Sequence, residues 1–286
     1  MNRTALLADF IRKISTELPA DVVEALRKGA ASEDAGSRAA FVLDSVLENV
    51  DLARERGVPL CQDTGTLTFW VDVPRGFDTG SLGQSIREAV AEATHQGWLR
   101  QNTISEPDGR SLADNLSESH PVLHFHTSDR EDVRVRLLMK GGGCENMSRQ
   151  YSLPDSFLEA GRDIEGVRRC ILDAAWQAQG KGCAPGILGV CIGGDRATGY
   201  EVAKVQLLRS LTDEPSPDPE LAALELRVFE EAQTLGIGPM GMAGKTTILG
   251  VRIGVASRLP ASYFVTVAYM CWACRRGTLL LAAEAV

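Results

Sequence analysis

The early part of the chain is patterned for helices. Residues 5–27 place Leu6, Phe10 and Ile14 on one face, and Asp21 stands where it can cap a second segment, 22–27. Residues 37–56 predict another helix, with Phe41, Val42, Val46 and Leu47 as its apolar stripe and Gly57-Val58-Pro59 as its stop. The pattern then changes. Residues 67–73 are strand-like, 81–97 are amphipathic and helical, and 122–126 and 133–139 predict two further strands.

Gly141-Gly142-Gly143 interrupts this run. Beyond it, a helix over 161–179 ends at Gly180-Lys181-Gly182, and 187–192 reads as a buried strand. Helices over 197–210 and 220–235 flank residues 212–219, whose three prolines and acidic residues suit a flexible connection. Strands over 248–255 and 263–269 complete the expected strand content, and no internal repeat is visible. Helices and strands alternate, yet several connections are short enough for antiparallel pairing. The expected fold is mixed α/β (α+β), a mixed sheet flanked by helices, with any site built from loops.

Composition narrows the class. The chain has 286 residues, 44% hydrophobic and 24% charged, enough for one large domain or two small ones. A net charge of −8 argues against a general nucleic-acid binder. Asp9 interrupts the first apolar stretch, so no export signal is expected. No apolar run approaches the ~20 residues that span a bilayer, so no membrane partner is expected. Seven cysteines, an odd number, then point to a reducing, cytoplasmic setting and not to a disulfide framework.

Three of those cysteines, Cys61, Cys183 and Cys271, stand far apart in small-residue, turn-rich segments. Three thiolates can hold an iron–sulfur cube by three corners and leave one iron open as a Lewis acid. Cys170 and Cys191 read as core residues, and Cys144 as either a fourth ligand or a small, weakly polar lining residue. Asp63, two positions from Cys61, suits proton transfer or an Asx turn. The three glycines before Cys144 suit an anion-binding nest or a mobile loop. Gly244-Lys245-Thr246 invites a phosphate-loop reading, but the position five before Gly244 is Pro239, which excludes it. Lys245 can still face a carboxylate as a point charge. Cys271-Trp272-Ala273-Cys274 lacks the second Cys or His pair that zinc wants, and a thiol-exchange role stays open. Arg275 and Arg276 are either surface cations or help for an anionic group.

Taken in order, Cys61-Gln62-Asp63-Thr64-Gly65, Gly141-Gly142-Gly143-Cys144-Glu145-Asn146-Met147-Ser148, Cys183-Ala184-Pro185, Gly236-Ile237-Gly238-Pro239, Gly244-Lys245-Thr246-Thr247 and Cys271-Trp272-Ala273-Cys274-Arg275-Arg276 resemble class I fumarase. More narrowly, they look like the alpha subunit of the two-subunit iron–sulfur hydro-lyases, fumarate hydratase and L(+)-tartrate dehydratase. The resemblance runs from about residue 6 to residue 281 and implies one hydro-lyase alpha-subunit domain over 1–286. It implies a [4Fe-4S] cluster on Cys61, Cys183 and Cys271, with Asp63 exchanging a proton with the leaving hydroxyl. Gln62, Arg100 and the Gly143 backbone are implied as substrate carboxylate contacts. The implied reaction is reversible dehydration of a 2-hydroxy dicarboxylate, fumarate/malate first, tartrate or a methylated analogue next. A separate beta subunit is implied, giving an α2β2 heteromer.

Two positions and one segment depart from the resemblance; the segment is Ser111-Leu112-Ala113-Asp114-Asn115-Leu116-Ser117, where relatives usually carry Asn-Thr-Gly. Arg252 and Leu259 stand where relatives often carry His, the second of which is associated with the substrate pocket. Leu259 therefore supports a rival reading, a non-catalytic cluster-carrying or regulatory subunit.

Overall fold

The computed structural model describes residues 2–212 and 215–282. Its helices are α1 (Arg3–Thr16), α2 (Ala20–Ser32), α3 (Arg38–Arg56), α4 (Thr79–His95), the single turn α5 (Gly142–Glu145), α6 (Ile164–Ala178), α7 (Arg196–Gln206) and α8 (Pro219–Gln233). Its strands are β1 (Thr66–Val73), β2 (Ile104–Ser105), β3 (Arg110–Ser111), β4 (Val122–Thr127), β5 (Asp132–Lys140), β6 (Arg149–Ser152), β7 (Gly186–Gly193), β8 (Ile248–Ala256), β9 (Phe264–Met270) and β10 (Arg275–Ala282). The fold is mixed α/β, as expected. The chain divides into two compact units: Met1–Pro19, Glu48–Gly142 and Arg275–Val286 form the first, and Ala20–Leu47 with Gly143–Cys274 the second.

In the first unit the sheet order is β10-β5-β1-β4. β1 runs parallel to β4, and β5 is antiparallel to both β1 and β10. Alternation along β5 sends Val133, Val135, Leu137 and Met139 into a core with Leu7, Phe10, Ile11 and Ile14 of α1 and Leu82, Ile86, Ala89 and Val90 of α4. The buried face of α1 thus follows 7, 10, 11 and 14, with Leu6 only packed against its margin. On the other face Asp72 accepts from the Arg134 guanidinium at 2.7 Å, which offsets the burial of its charge.

The second unit holds the sheet β6-β9-β7-β8, with β7 and β8 parallel and the other pairs antiparallel. α7 carries the crossover from β7 toward β8 and packs on β7, β8 and β9, while α6 packs on β9 and α8 on β8. Asp163, Asp195 and Asp218 cap α6, α7 and α8 by accepting N–H groups of their first turns. β7 is buried at every position, as a run of Ile, Leu and Val implies.

Several expectations are corrected. The two helical segments expected in 5–27 are present, but the second begins at Ala20 and runs to Ser32, and Pro19 cannot continue α1. Asp21 lies inside α2 and accepts the Leu211 N–H at 2.7 Å. The buried stripe of α3 is Ala39, Leu43, Val46, Val50 and Ala53, and Phe41 is 74% exposed. β10 extends the strand content past residue 270: Leu279 and Leu281 join the core, and Gly277 leaves room for Ile14. Arg275 and Arg276 are therefore buried strand residues, not surface cations. Of the proposed flexible segment 212–219, positions 213–214 lie outside the described residues, and Asp218 and Pro219 open α8.

Candidate active site

In the first unit, Asp63 stands on the loop entering β1 and is held by backbone donors. One carboxylate oxygen accepts the Gly142 N–H at 2.7 Å, and the other accepts the Gly65 N–H at 2.9 Å. Both contacts need small neighbours. A Cβ on Gly141 would lie 2.8 Å from Asp63 Oδ2, and one on Gly65 would lie 2.6 Å from the Lys140 backbone, where φ is also +80°. The Asx turn considered in the sequence is thus present, with the Gly65 N–H bonded to Asp63 Oδ1.

Asp63 borders a cleft of about 620 Å³ within this unit, lined also by Gln62, Gln101, Asn102, Thr103 and His120. Gln62 and Arg100 are exposed, and the Arg100 N–H donates to Thr64 Oγ1 at 3.2 Å. The Asn102 amide reaches Asp63 Oδ1 at 3.4 Å. His120 closes the inner wall. Its Nε2 accepts the Leu67 N–H at 3.2 Å, so the proton sits on Nδ1, which donates to the Asn115 carbonyl at 2.6 Å. Burial lowers its pKa and keeps this neutral tautomer. Asn102 and His120 went unnoticed as site residues in the sequence, and Asn115 stood out only as part of the altered segment 111–117, with no role assigned.

The second unit carries Cys183 and Cys271. Cys183 follows the turn Gln179–Gly182 and adopts left-handed backbone angles, φ +52° and ψ +59°, which cost a non-glycine residue on the order of 1 kcal/mol. Surrounding contacts hold it there. Its carbonyl accepts the Trp272 N–H at 3.3 Å, and the Ala184 carbonyl accepts the Met240 N–H at 2.8 Å. Gly182 and Gly186 lie flat on the Tyr269 ring, since a Cβ on either would come within 2.4 Å of it. Tyr269 is a further residue that sequence reasoning missed. Its phenol pKa is raised, chiefly by burial and then by the thiols of Cys271, Cys144 and Cys183 around it.

Exposure sorts the seven cysteines. Cys183 is exposed and Cys61 and Cys271 are half-buried, whereas Cys144, Cys170, Cys191 and Cys274 are buried. Burial pushes Cys170 up to about 12 and Cys191 up to about 11, so both stay protonated thiols at neutral pH. The accessible three have the donor chemistry that an iron–sulfur cluster takes. Arg275 is 1% exposed, and its Nε and Nη1 have no hydrogen-bond partner among the described residues.

The other expected contacts are placed as follows. Gly143 is exposed, and nothing lies within 4 Å of where its Cβ would be, so chain packing does not require this glycine. Lys245 borders a separate cleft of about 310 Å³ in the second unit, and its ammonium pairs with Asp34 at 2.5 Å. The adjoining backbone is tied down by Glu33, which accepts the N–H groups of Lys245 and Thr246. Arg252 is buried and donates to the carbonyls of Ser210 and Leu211, a structural use of its charge. Leu259 is 75% exposed in the turn before β9.

A backbone-held carboxylate at the edge of a polar cleft, on a mixed α/β fold, is the kind of site an enzyme for small polar molecules uses, and the family of the chain decides the class. The chain belongs to the Fumarate hydratase (Fumerase) family, a family of hydro-lyases, whose model matches residues 4–279. It is 48% identical over 270 residues to the "Putative fumarate hydratase class I" of Geobacillus stearothermophilus, covering 93% of this chain and 52% of that protein. It is 32% identical over 283 residues to the L(+)-tartrate dehydratase subunit alpha of Escherichia coli K12, covering 98% of this chain and 91% of that subunit. The chain thus spans about half the length of the first relative and nearly all of the second. No described helix is long and apolar enough to cross a membrane.

Proposed function

We propose that this chain is the alpha subunit of a cytoplasmic [4Fe-4S]-dependent hydro-lyase. It interconverts a 2-hydroxy dicarboxylate and its unsaturated diacid, with malate and fumarate the first pair and tartrate or a methylated analogue the next. The observation that carries this reading is Asp63, a carboxylate held by two backbone N–H groups at the edge of a polar cleft, two residues from an accessible thiol. Cys61, Cys183 and Cys271 are the proposed cluster ligands, supported by their accessibility against four buried cysteines. When bound, the cluster supplies a Lewis acid for a substrate hydroxyl.

The chain's own groups do the rest. Asp63 exchanges the proton of the departing hydroxyl, and its fixed orientation removes the need to reorganise at that moment. Gln62 and Arg100 bind substrate carboxylate from exposed positions beside the cleft, Arg100 through a planar fork suited to carboxylate. The Gly143 N–H is a further contact, which accounts for a glycine that packing does not require. Lys245 is the least direct member, because it must exchange Asp34 for a substrate carboxylate.

The tartrate dehydratase relative is named as a subunit alpha. A beta subunit is accordingly proposed to complete the site, in an α2β2 assembly. The test is coexpression with a beta subunit, anaerobic cluster reconstitution, and a screen of malate and the tartrates by absorbance of the unsaturated product. Turnover with brown, iron-bearing protein is expected. An intact cluster with no turnover of any hydroxy diacid overturns the catalytic reading in favour of a cluster-carrying binding subunit.

A further inference from the structure

We infer that Asn115 is the positioning residue of the Asp63 cleft, setting the 100–103 segment against Asp63 through its side-chain amide. This rests on reading Asp63 as the proton-transferring group. Asn115 is 2% exposed and adopts φ +60°, a left-handed conformation that Asn tolerates better than most residues. Its Oδ1 accepts the N–H groups of Asn102 and Thr103, each at 3.0 Å. Its Nδ2 donates to the Arg100 carbonyl at 2.7 Å and to Thr94 Oγ1 at 3.0 Å. All four directions of the amide are used, and a flipped amide would set NH2 against two N–H donors. The Asn115 carbonyl in turn accepts from His120, which anchors it to the start of β1.

The segment so held reaches Asp63 by two routes. The Asn102 side-chain amide lies 3.4 Å from the Gln62 carbonyl, from Asp63 Oδ1 and from Thr64 Oγ1. The Arg100 N–H bonds Thr64 Oγ1 at 3.2 Å, which fixes where the Arg100 side chain leaves the backbone. No isosteric residue keeps both functions. Asp at this position retains the two acceptor contacts but sets an oxygen against the Arg100 carbonyl, which accepts and cannot donate. Asn115 therefore acts on chemistry through Asn102 and on substrate binding through Arg100.

The test uses the reconstituted complex carrying Asn115→Asp, Asn102→Ala and both together. Asn102 is exposed, so its variant folds even if the other is impaired. Asn102→Ala is expected to lower kcat roughly ten- to a hundredfold with KM held. Asn115→Asp should lower kcat at least as much and raise KM, and the double variant should be no worse than Asn115→Asp alone. Additive losses, or a kcat unchanged in Asn115→Asp, overturn the inference. Hydrogen exchange supplies a readout independent of turnover. The Asn102 and Thr103 amides should lose protection in Asn115→Leu, which removes their shared acceptor, and keep it in Asn102→Ala; unchanged protection in Asn115→Leu also overturns it. If the unsubstituted complex turns over no hydroxy diacid, the proposed function fails, and the exchange result decides the positioning role by itself.

Discussion

A methyl group on Gly141 would sit 2.8 Å from the Oδ2 of Asp63. That separation is too short for carbon against a carboxylate oxygen, and the same oxygen accepts the Gly142 N–H at 2.7 Å. Gly141→Ala should therefore displace the carboxylate and lower kcat roughly a hundredfold. Gly143→Ala is the contrast. Open space surrounds that position, so thermal unfolding should be unchanged while KM for the diacid rises. An undiminished kcat in Gly141→Ala would show that Asp63 does not depend on the room that Gly141 leaves.

The cysteines should separate by iron retention. Serine at 61, 183 or 271 should abolish the bound iron and the brown colour of anaerobically purified protein. Cys170→Ser and Cys191→Ser should retain iron, because these thiols are buried and protonated. They should instead lose about 1–3 kcal/mol of stability, the cost of a hydroxyl set in apolar surroundings. Metal analysis and urea midpoints on all five variants test both halves.

Much of the fold was legible because local pattern and burial coincide. β7 reads as an unbroken apolar run and is buried at each position, and the alternation of 133–139 matches its core face. Legibility failed where a distant partner decides. Phe41 fits a helical stripe as well as Leu43 does, and only tertiary packing leaves the first exposed and the second buried. β10 opens with two arginines, which no period-2 reading assigns to a sheet interior. The Asp63 motif was visible beside Cys61, but Asn115 acts on residues 12–15 positions away through loop closure, and no local spacing marks it.

Tyr269 offers a test of the Cys183 turn. Its ring occupies the space that a side chain at 182 or 186 would need. Gly182→Ala and Gly186→Ala should each push the turn off the ring and impair iron binding in the reconstituted complex. The backbone of Cys183 is already left-handed, so it has little freedom to absorb the shift. Adding Tyr269→Leu should recover part of the iron in either background, measured as iron per chain. Undiminished iron in the single glycine variants would mean that the turn does not need its seat on Tyr269.

His120 ties the wall of the Asp63 cleft to pH. Burial holds its pKa below the ordinary 6.5, and the positive charge of Arg87 lowers it further, against the raising effect of the Asn115 carbonyl. Between the lowered folded value and 6.5, the unfolded chain binds more protons than the folded one, so stability rises with pH across that window. The contribution is complete above about 6.5 and is lost as pH falls through the folded value, with a slope of at most about 1.4 kcal/mol per pH unit. Protonating Nε2 would also set it against the Leu67 N–H that it now accepts. Urea unfolding at a series of pH values from 5 to 7.5 should show this slope in the unsubstituted chain and a shallower one in His120→Gln. Identical slopes in the two proteins would mean that His120 carries its proton equally in the folded and unfolded states.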